Sequence, residues 1–165
     1  MLRLTLSFPI AAMFMFGSLP GAAATFAGLG DLVGGVVSSH AAGVSAEGTT
    51  VVGQSVSDSG GEAFRWTSSE GMVGLGDLAG PSFGSSATAV SGDGSVVVGH
   101  GSSGGNEFFR WTQVGGMVSL QNGSFITSTA TAVSEDGSVV VGLGIGGASI
   151  FDQWLMWTQE CPPTA

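Results

Sequence analysis

Basic residues are what this sequence has least of: its 165 residues carry three Arg and no Lys against 12 acidic side chains, a formal charge of −9. No window holds five or six like charges, so the imbalance reflects missing cations and not an acidic tail. Nucleic acid is excluded as an expected partner, because so few cations cannot form a stripe that neutralises phosphates. Tyr is absent, and there are two His and one Cys. Few groups are left to act as nucleophile or as a base near neutral pH, so the expectation is a non-enzyme with no cofactor and no catalytic or metal site. Cys161 stands alone near the C-terminus and cannot form an internal disulfide, so the fold must hold without staples. It reads as a passive tail thiol in preference to an interchain bridge.

Long apolar runs are also missing, apart from one near the N-terminus. Arg3 precedes an apolar stretch over residues 4–16, followed by Gly17, Ser18 and Pro20 and then by Ala22-Ala23-Ala24. Charge, short apolar core and small-residue site in that order read as a bacterial signal peptide over residues 1–24, cleaved after Ala24. The core is too short for a retained membrane span. The expected product is exported, extracellular or periplasmic, with no membrane span in the mature chain.

Gly and Ser make up about a third of residues 25–165, a share that raises the question of disorder. Val51-Val52, Val96-Val97-Val98, Val139-Val140-Val141, Trp66, Trp111 and Trp157 answer it, because they supply apolar surface to bury. These residues recur. Gly28-Leu29-Gly30-Asp31-Leu32 returns as Gly74-Leu75-Gly76-Asp77-Leu78. Arg65-Trp66-Thr67 returns as Arg110-Trp111-Thr112 and as Met156-Trp157-Thr158. The element running from Val44-Ser45 to Val51-Val52-Gly53 returns from Val90-Ser91 to Val98-Gly99 and from Val133-Ser134 to Val141-Gly142. The period is about 45 residues, the length of a propeller blade or a HEAT-type helical unit.

Gly, Ser and Asp every few residues leave no room for a helix of ten or more, while the apolar runs are short and rich in Val, Phe and Trp. The fold class expected is all-β, a β-propeller-like array of three blade-sized repeats over residues 25–158 (26–71, 72–116 and 117–158), with a tail over 159–165. In the second unit strands are expected at 87–91, 95–99, 107–112 and 117–120. A Gly92-Asp93-Gly94 turn joins the first two, with Gly94 at positive φ. Val96-Val97-Val98 does not alternate with polar residues, which implies burial on both faces. With 68–71 as the closing loop of the first unit, Thr67 pairs with Met72, Trp66 with Val73, Arg65 with Gly74 and Phe64 with Leu75. Phe64, Trp66, Val73 and Leu75 then share one apolar patch.

These motifs resemble the bacterial extracellular HAF-repeat family, whose units combine Val-Ser-x-Asp-Gly-Ser-Val-Val-Val-Gly, His-Ala-Phe-x-Trp and Gly-Leu-Gly-x-Leu elements. Here the naming tripeptide has become Glu62-Ala63-Phe64 and Glu107-Phe108-Phe109, and the third unit is more degenerate. The resemblance covers residues 26–158 and implies an exported, propeller-like repeat protein without catalytic residues to carry over. With no sorting helix or autotransporter barrel after Trp157, it reads as a short or truncated member.

Candidate sites are few. His40 and His100 occupy non-equivalent repeat positions without zinc-ligand spacing and read as surface histidines. Asp31 and Asp77 share one repeat position, where a turn or strand-end role is simpler than an acid–base pair. Glu135-Asp136 lacks the spaced oxygens of a calcium loop. The Ser-x-Asp-Gly-Ser turns are similar to sialidase Asp-boxes, but a chain without Tyr lacks that nucleophile. The repeated Trp residues read as packing between blades, and Trp154 as the better contact candidate. The function expected is a secreted non-catalytic binding or surface-structural module with a protein or glycan ligand and self-association through strand edges. The competing reading is a polysaccharide-acting enzyme or a fragment of a larger propeller enzyme. Counting strands suggests that Gly28–Leu32 supplies the fourth strand that the third unit lacks, within the chain or in a neighbour.

Overall fold

Ser91 shows how the repeated turn closes. Its N–H donates to the Val96 carbonyl (2.9 Å), its carbonyl accepts from Gly94 N–H (3.0 Å), and its Oγ accepts from Val96 N–H (3.0 Å). Gly94 sits at φ +76°, as expected, in the left-handed region that a side chain disfavours. Ser45 and Ser134 close the other two turns in the same way. A computed structural model describes residues 25–121, 125–146 and 152–158; the expected signal peptide and Cys161 lie outside them.

The described residues form strands and no helix. The first sheet has the order β1 (Gly34–Val44), β2 (Thr50–Ser57), β3 (Gly60–Thr67), β4 (Gly71–Gly74). The second has β5 (Ser85–Val90), β6 (Val96–Ser102), β7 (Asn106–Thr112), β8 (Gly116–Ser119). The third has three strands, ordered β11 (Asp152–Thr158), β10 (Val139–Gly146), β9 (Phe125–Val133). All pairings are antiparallel. The sheets stack in chain order: β5 packs across β1, β2 and β3, and β9 across β5, β6 and β7. Among the described residues the three sheets do not close into a ring.

Two cores lie between the sheets. The first gathers Val52, Ala63, Leu75, Leu78, Ala87, Val97 and Phe109; the second gathers Val96, Val98, Phe108, Ala130 and Val140. The middle sheet feeds both, with Val97 and Phe109 pointing one way and Val96, Val98 and Phe108 the other. That division accounts for a run of three Val in β6 with no polar alternation. Full burial of a side chain such as Phe109 is worth roughly 1.5–3 kcal/mol.

A β-bulge recurs in the first strand of every unit. Ala42, Thr88 and Thr131 are the extra residues, each followed or preceded by a register shift against the neighbouring strand. The bulge turns a carbonyl, of His40, Ser86 or Thr129, onto the Gly that ends the Val-Val-Val-Gly element. A Cβ on Gly53, Gly99 or Gly142 would collide with that backbone oxygen. This Gly is therefore a close-approach residue.

Two expectations are corrected. The first-unit hairpin pairs Thr67 with Gly71, Trp66 with Met72, Arg65 with Val73 and Phe64 with Gly74, one residue away from the register expected. Gly71, at φ +73°, belongs to the strand as the left-handed residue after a three-residue turn, and Val73 lies across from Arg65, largely exposed. The Phe64, Trp66, Val73, Leu75 patch therefore does not form. Residues 28–32 are not a strand and do not complete the third sheet. Leu32 N–H donates to Ser55 Oγ (3.1 Å), Ser55 Oγ bonds Asp31, and Ser39 Oγ donates to the Gly30 carbonyl (3.0 Å), which ties the segment to its own unit.

Gly99→Ala should lower stability by about 1–3 kcal/mol, because the bulged backbone cannot yield to a Cβ. Gly94→Val should cost a similar amount through φ strain. Gly28→Ala, with open space around it, should be near neutral. Denaturant midpoints check the series, and a Gly99→Ala midpoint equal to that of the parent would refute the bulge argument.

Candidate functional site

The closing turns of the first two units place both described arginines along one side of the stack. In the first unit Thr67 Oγ1 accepts Glu70 N–H (3.2 Å), and the Glu70 carboxylate swings back to Arg65 Nη1 (2.6 Å). The second unit builds the same turn, with Thr112 Oγ1 accepting Gly115 N–H (3.0 Å), but Gly115 has no carboxylate. Among the described residues Arg110 has no acid in ion-pair reach. Its guanidinium lies over the Trp157 ring, 6.0 Å from the centroid, at the outer limit of a cation–π contact. Its Nε is buried and has no hydrogen-bond partner among the described residues.

A groove of about 590 Å³ runs between these groups, lined by Arg65, Glu70, Asp93, Arg110, Trp111 and Asp136. A hollow of about 290 Å³ adjoins it beneath Arg110, against Val118, Leu120 and Trp157. Guanidinium donors, carboxylate acceptors and indole surface meet there, which suits a polyhydroxylated ligand.

The carboxylates of the groove are already engaged by their own turns. Asp93 Oδ1 accepts Ser91 Oγ (2.6 Å), Ser95 N–H (3.0 Å) and Ser95 Oγ (2.9 Å). Asp136 repeats this with Ser134 (2.6 Å) and Ser138 (3.0 and 2.8 Å). The hydroxyl of Ser134 first, then the N–H and hydroxyl of Ser138, hold the Asp136 carboxyl down at about 2. Ser91 and Ser95 lower that of Asp93 in the same way. Both therefore remain anionic, which suits recognition and opposes a role as general acid.

The other candidates are dispersed. Asp31 and Asp77 sit on different units. Asp77 accepts N–H bonds from Gly84 (2.7 Å) and Ser102 (2.9 Å), an anchoring role for the connector between sheets. His40 is exposed on β1, as expected. His100 is less exposed than expected: it is half-buried in β6, and burial lowers its pKa against the opposing field of Asp77. Glu135 stays in a turn. Among the described residues no group of three His, Cys, Asp or Glu could hold a metal, and no helix is long and apolar enough to cross a membrane. Trp111 packs on the first core and Trp157 on the second, the packing role expected of them. Trp154 takes in β11 the register position that Phe108 holds in β7.

Sequence reasoning missed a serine. Ser85 Oγ accepts the Ala63 N–H of the preceding sheet (2.9 Å) and donates to the Gly76 carbonyl (2.5 Å), and Ser128 Oγ accepts Phe108 N–H (3.0 Å). The signal was present, since Ser39, Ser85 and Ser128 each stand six residues before the turn serine.

Because the Asp136 carboxyl is depressed, its contribution to the turn should be complete above the ordinary value of ~3.9 and should fade as pH falls toward about 2. Ser134→Ala should move its titration back up. NMR titration of the side-chain carboxyl measures both, and an unshifted midpoint in Ser134→Ala would remove the hydroxyl as the cause.

Comparison with known proteins gives fold information alone. No family model and no curated protein matches the chain. The crystal structure of TolB from Acinetobacter baumannii is similar over 70% of this chain and 29% of its own, at 13% identity and a TM-score of 0.54. A chain assigned as TolB from Agrobacterium tumefaciens is similar over 74% of this chain and 46% of its own, at 12% identity and a TM-score of 0.53. This chain thus spans less than half the length of either structure that it resembles.

Proposed function

We propose that the chain is an exported, non-catalytic β-repeat module of HAF-repeat type, with propeller-like blades, that binds a glycan along the groove between its turns. The observation that carries this reading is Arg110, a guanidinium set over Trp157 without the carboxylate that its counterpart Arg65 has in Glu70. A sugar hydroxyl or carboxylate in the groove would take the place of the missing acid beside its guanidinium, and the indole surface there favours the apolar face of a sugar ring. The likeness to TolB structures, which contain a β-propeller, supports the blade-like reading of the stacked sheets. The export signal remains part of the proposal through Arg3 and Ala22-Ala23-Ala24.

Glycan-array binding in parallel with a hydrolysis screen on the same glycans tests this reading. Binding without released product is expected. Arg110→Ala should weaken it by about tenfold, the loss of one charge-assisted hydrogen bond, and Arg65→Ala by less. Product release would overturn the non-catalytic reading, and absence of any bound glycan would overturn the ligand class.

A further inference from the structure

Among the described residues, the hydrogen bonds that join a strand or closing turn of one sheet directly to a strand or turn of the next run in one direction, those to the connectors apart. Ala46 N–H donates to the Gly92 carbonyl (3.0 Å), and Gly92 N–H to that of Glu135 (2.9 Å), so three equivalent turn positions form a ladder. Ala63 N–H donates to Ser85 Oγ and Phe108 N–H to Ser128 Oγ. Gln54 Nε2 reaches the Ser85 carbonyl (3.0 Å), and Thr88 Oγ1 reaches that of Ala130 (2.7 Å). In each case the earlier unit donates and the later one accepts. The stack therefore has a donor end and an acceptor end.

The two ends complement each other. At the first sheet, the Ala46 carbonyl and Ser39 Oγ receive no hydrogen bond among the described residues, although the equivalent atoms of Gly92 and Ser85 do. At the third sheet, Glu135 N–H has no acceptor among the described residues, and Thr131 Oγ1 reaches the Val141 carbonyl of its own sheet without the second acceptor that Thr88 has.

The apolar surfaces match in the same way. Ala41 is exposed where Ala87 and Ala130 are buried, and Val44 is 61% exposed where Val90 and Val133 pack on the cores. Val51 is half-buried where Val97 and Val140 are buried. On the far side Val141 is 38% exposed where Val52 and Val98 are buried, and Met156 is 71% exposed at the position of Arg110. Arg110 lies over the Trp of the unit after it. The same step taken beyond the third unit would set the Met156 thioether over Trp66, a favourable sulfur–aromatic contact.

We propose that a second copy of this chain seats its third sheet on the first sheet of this one, repeating between molecules the interface that the chain builds twice within itself. The contact is face to face, not edge to edge, and heterologous. Two copies that close on each other make six sheets, within the range of closed propellers. This deepens the binding-module reading by naming a partner, and its test is independent of glycan binding.

The test is sedimentation of the chain and of two variants whose substituted side chains are exposed in the single molecule. The parent should dimerise. Val44→Asp and Met156→Glu should each be monomeric, with association weakened by at least about tenfold because each buries an unpaired charge. Each variant keeps one intact end, so an equimolar mixture should recover a 1:1 dimer that neither forms alone. If a charged variant fails to fold by circular dichroism, Val44→Ser and Met156→Ser replace it in the same scheme. A parent that stays monomeric at every concentration overturns the proposal and leaves the open face to a further repeat sheet. Variants that associate as the parent does, or a mixture that stays monomeric, overturn it as well.

Discussion

One buried hydroxyl, repeated, holds consecutive sheets in register. Ser85 lies at the start of β5, is 1% exposed, and joins three segments: the Ala63 N–H of β3, its own strand, and the Gly76 carbonyl of the connector. Ala63 is fully buried, so its N–H would be left unsatisfied at about 1–3 kcal/mol if the hydroxyl were absent. Hydrophobic burial between the sheets is larger in total, but it is non-directional and would tolerate sliding. The serine bonds fix where one sheet sits along the next, and the turn ladder through Ala46, Gly92 and Glu135 fixes the other end.

That constraint explains a composition that otherwise resembles a low-complexity chain. A bulged carbonyl of the neighbouring strand leaves room for no side chain at Gly53, Gly99 and Gly142, inside β2, β6 and β10, and Gly142 also lies beneath the Phe108 ring of the preceding sheet. Ser supplies the joints between sheets and the closures of the turns. Gly and Ser are abundant because they are contact residues here, while a few Val, Phe and Trp per unit supply the apolar area. The usual cost of Gly in a strand, roughly 0.5–1 kcal/mol relative to Ala, is offset by the packing it permits.

Much of this was legible in the residues, and the misreadings have physical causes. The strands of the second unit and the positive φ of Gly94 follow from local turn chemistry, which depends on a few neighbouring residues. The register of the β3–β4 hairpin was misjudged by one because Gly71 can serve either as the last loop residue or as the left-handed first residue of a strand. Residues 28–32 were misread because their repeat copy follows directly on a strand, whereas pairing stops at Gly74 and the rest is connector. The groove was the least legible feature. Its central difference, Glu70 against Gly115, lies in a turn position that no motif marks, and its consequence for Arg110 depends on a Trp from the next unit.

The scarcity of charge with which the sequence begins has a structural counterpart. A stack of sheets buries both faces of each interior unit, so a charge on those faces must be paired or neutral. Several acids sit in turns and connectors, with Asp93 and Asp136 bonded by their own serines and Asp77 by two backbone N–H groups, while Glu62 in β3 and Glu107 in β7 accept from Gly76 N–H and Ser119 Oγ. One strand position changes along the array, from Arg65 paired with Glu70, to Arg110 without an acid, to Met156 with no charge at all. The interface needed at that position becomes progressively less polar toward the third sheet. An outer face that had evolved to meet water would be expected to run the other way, with the most polar residue at the most exposed unit.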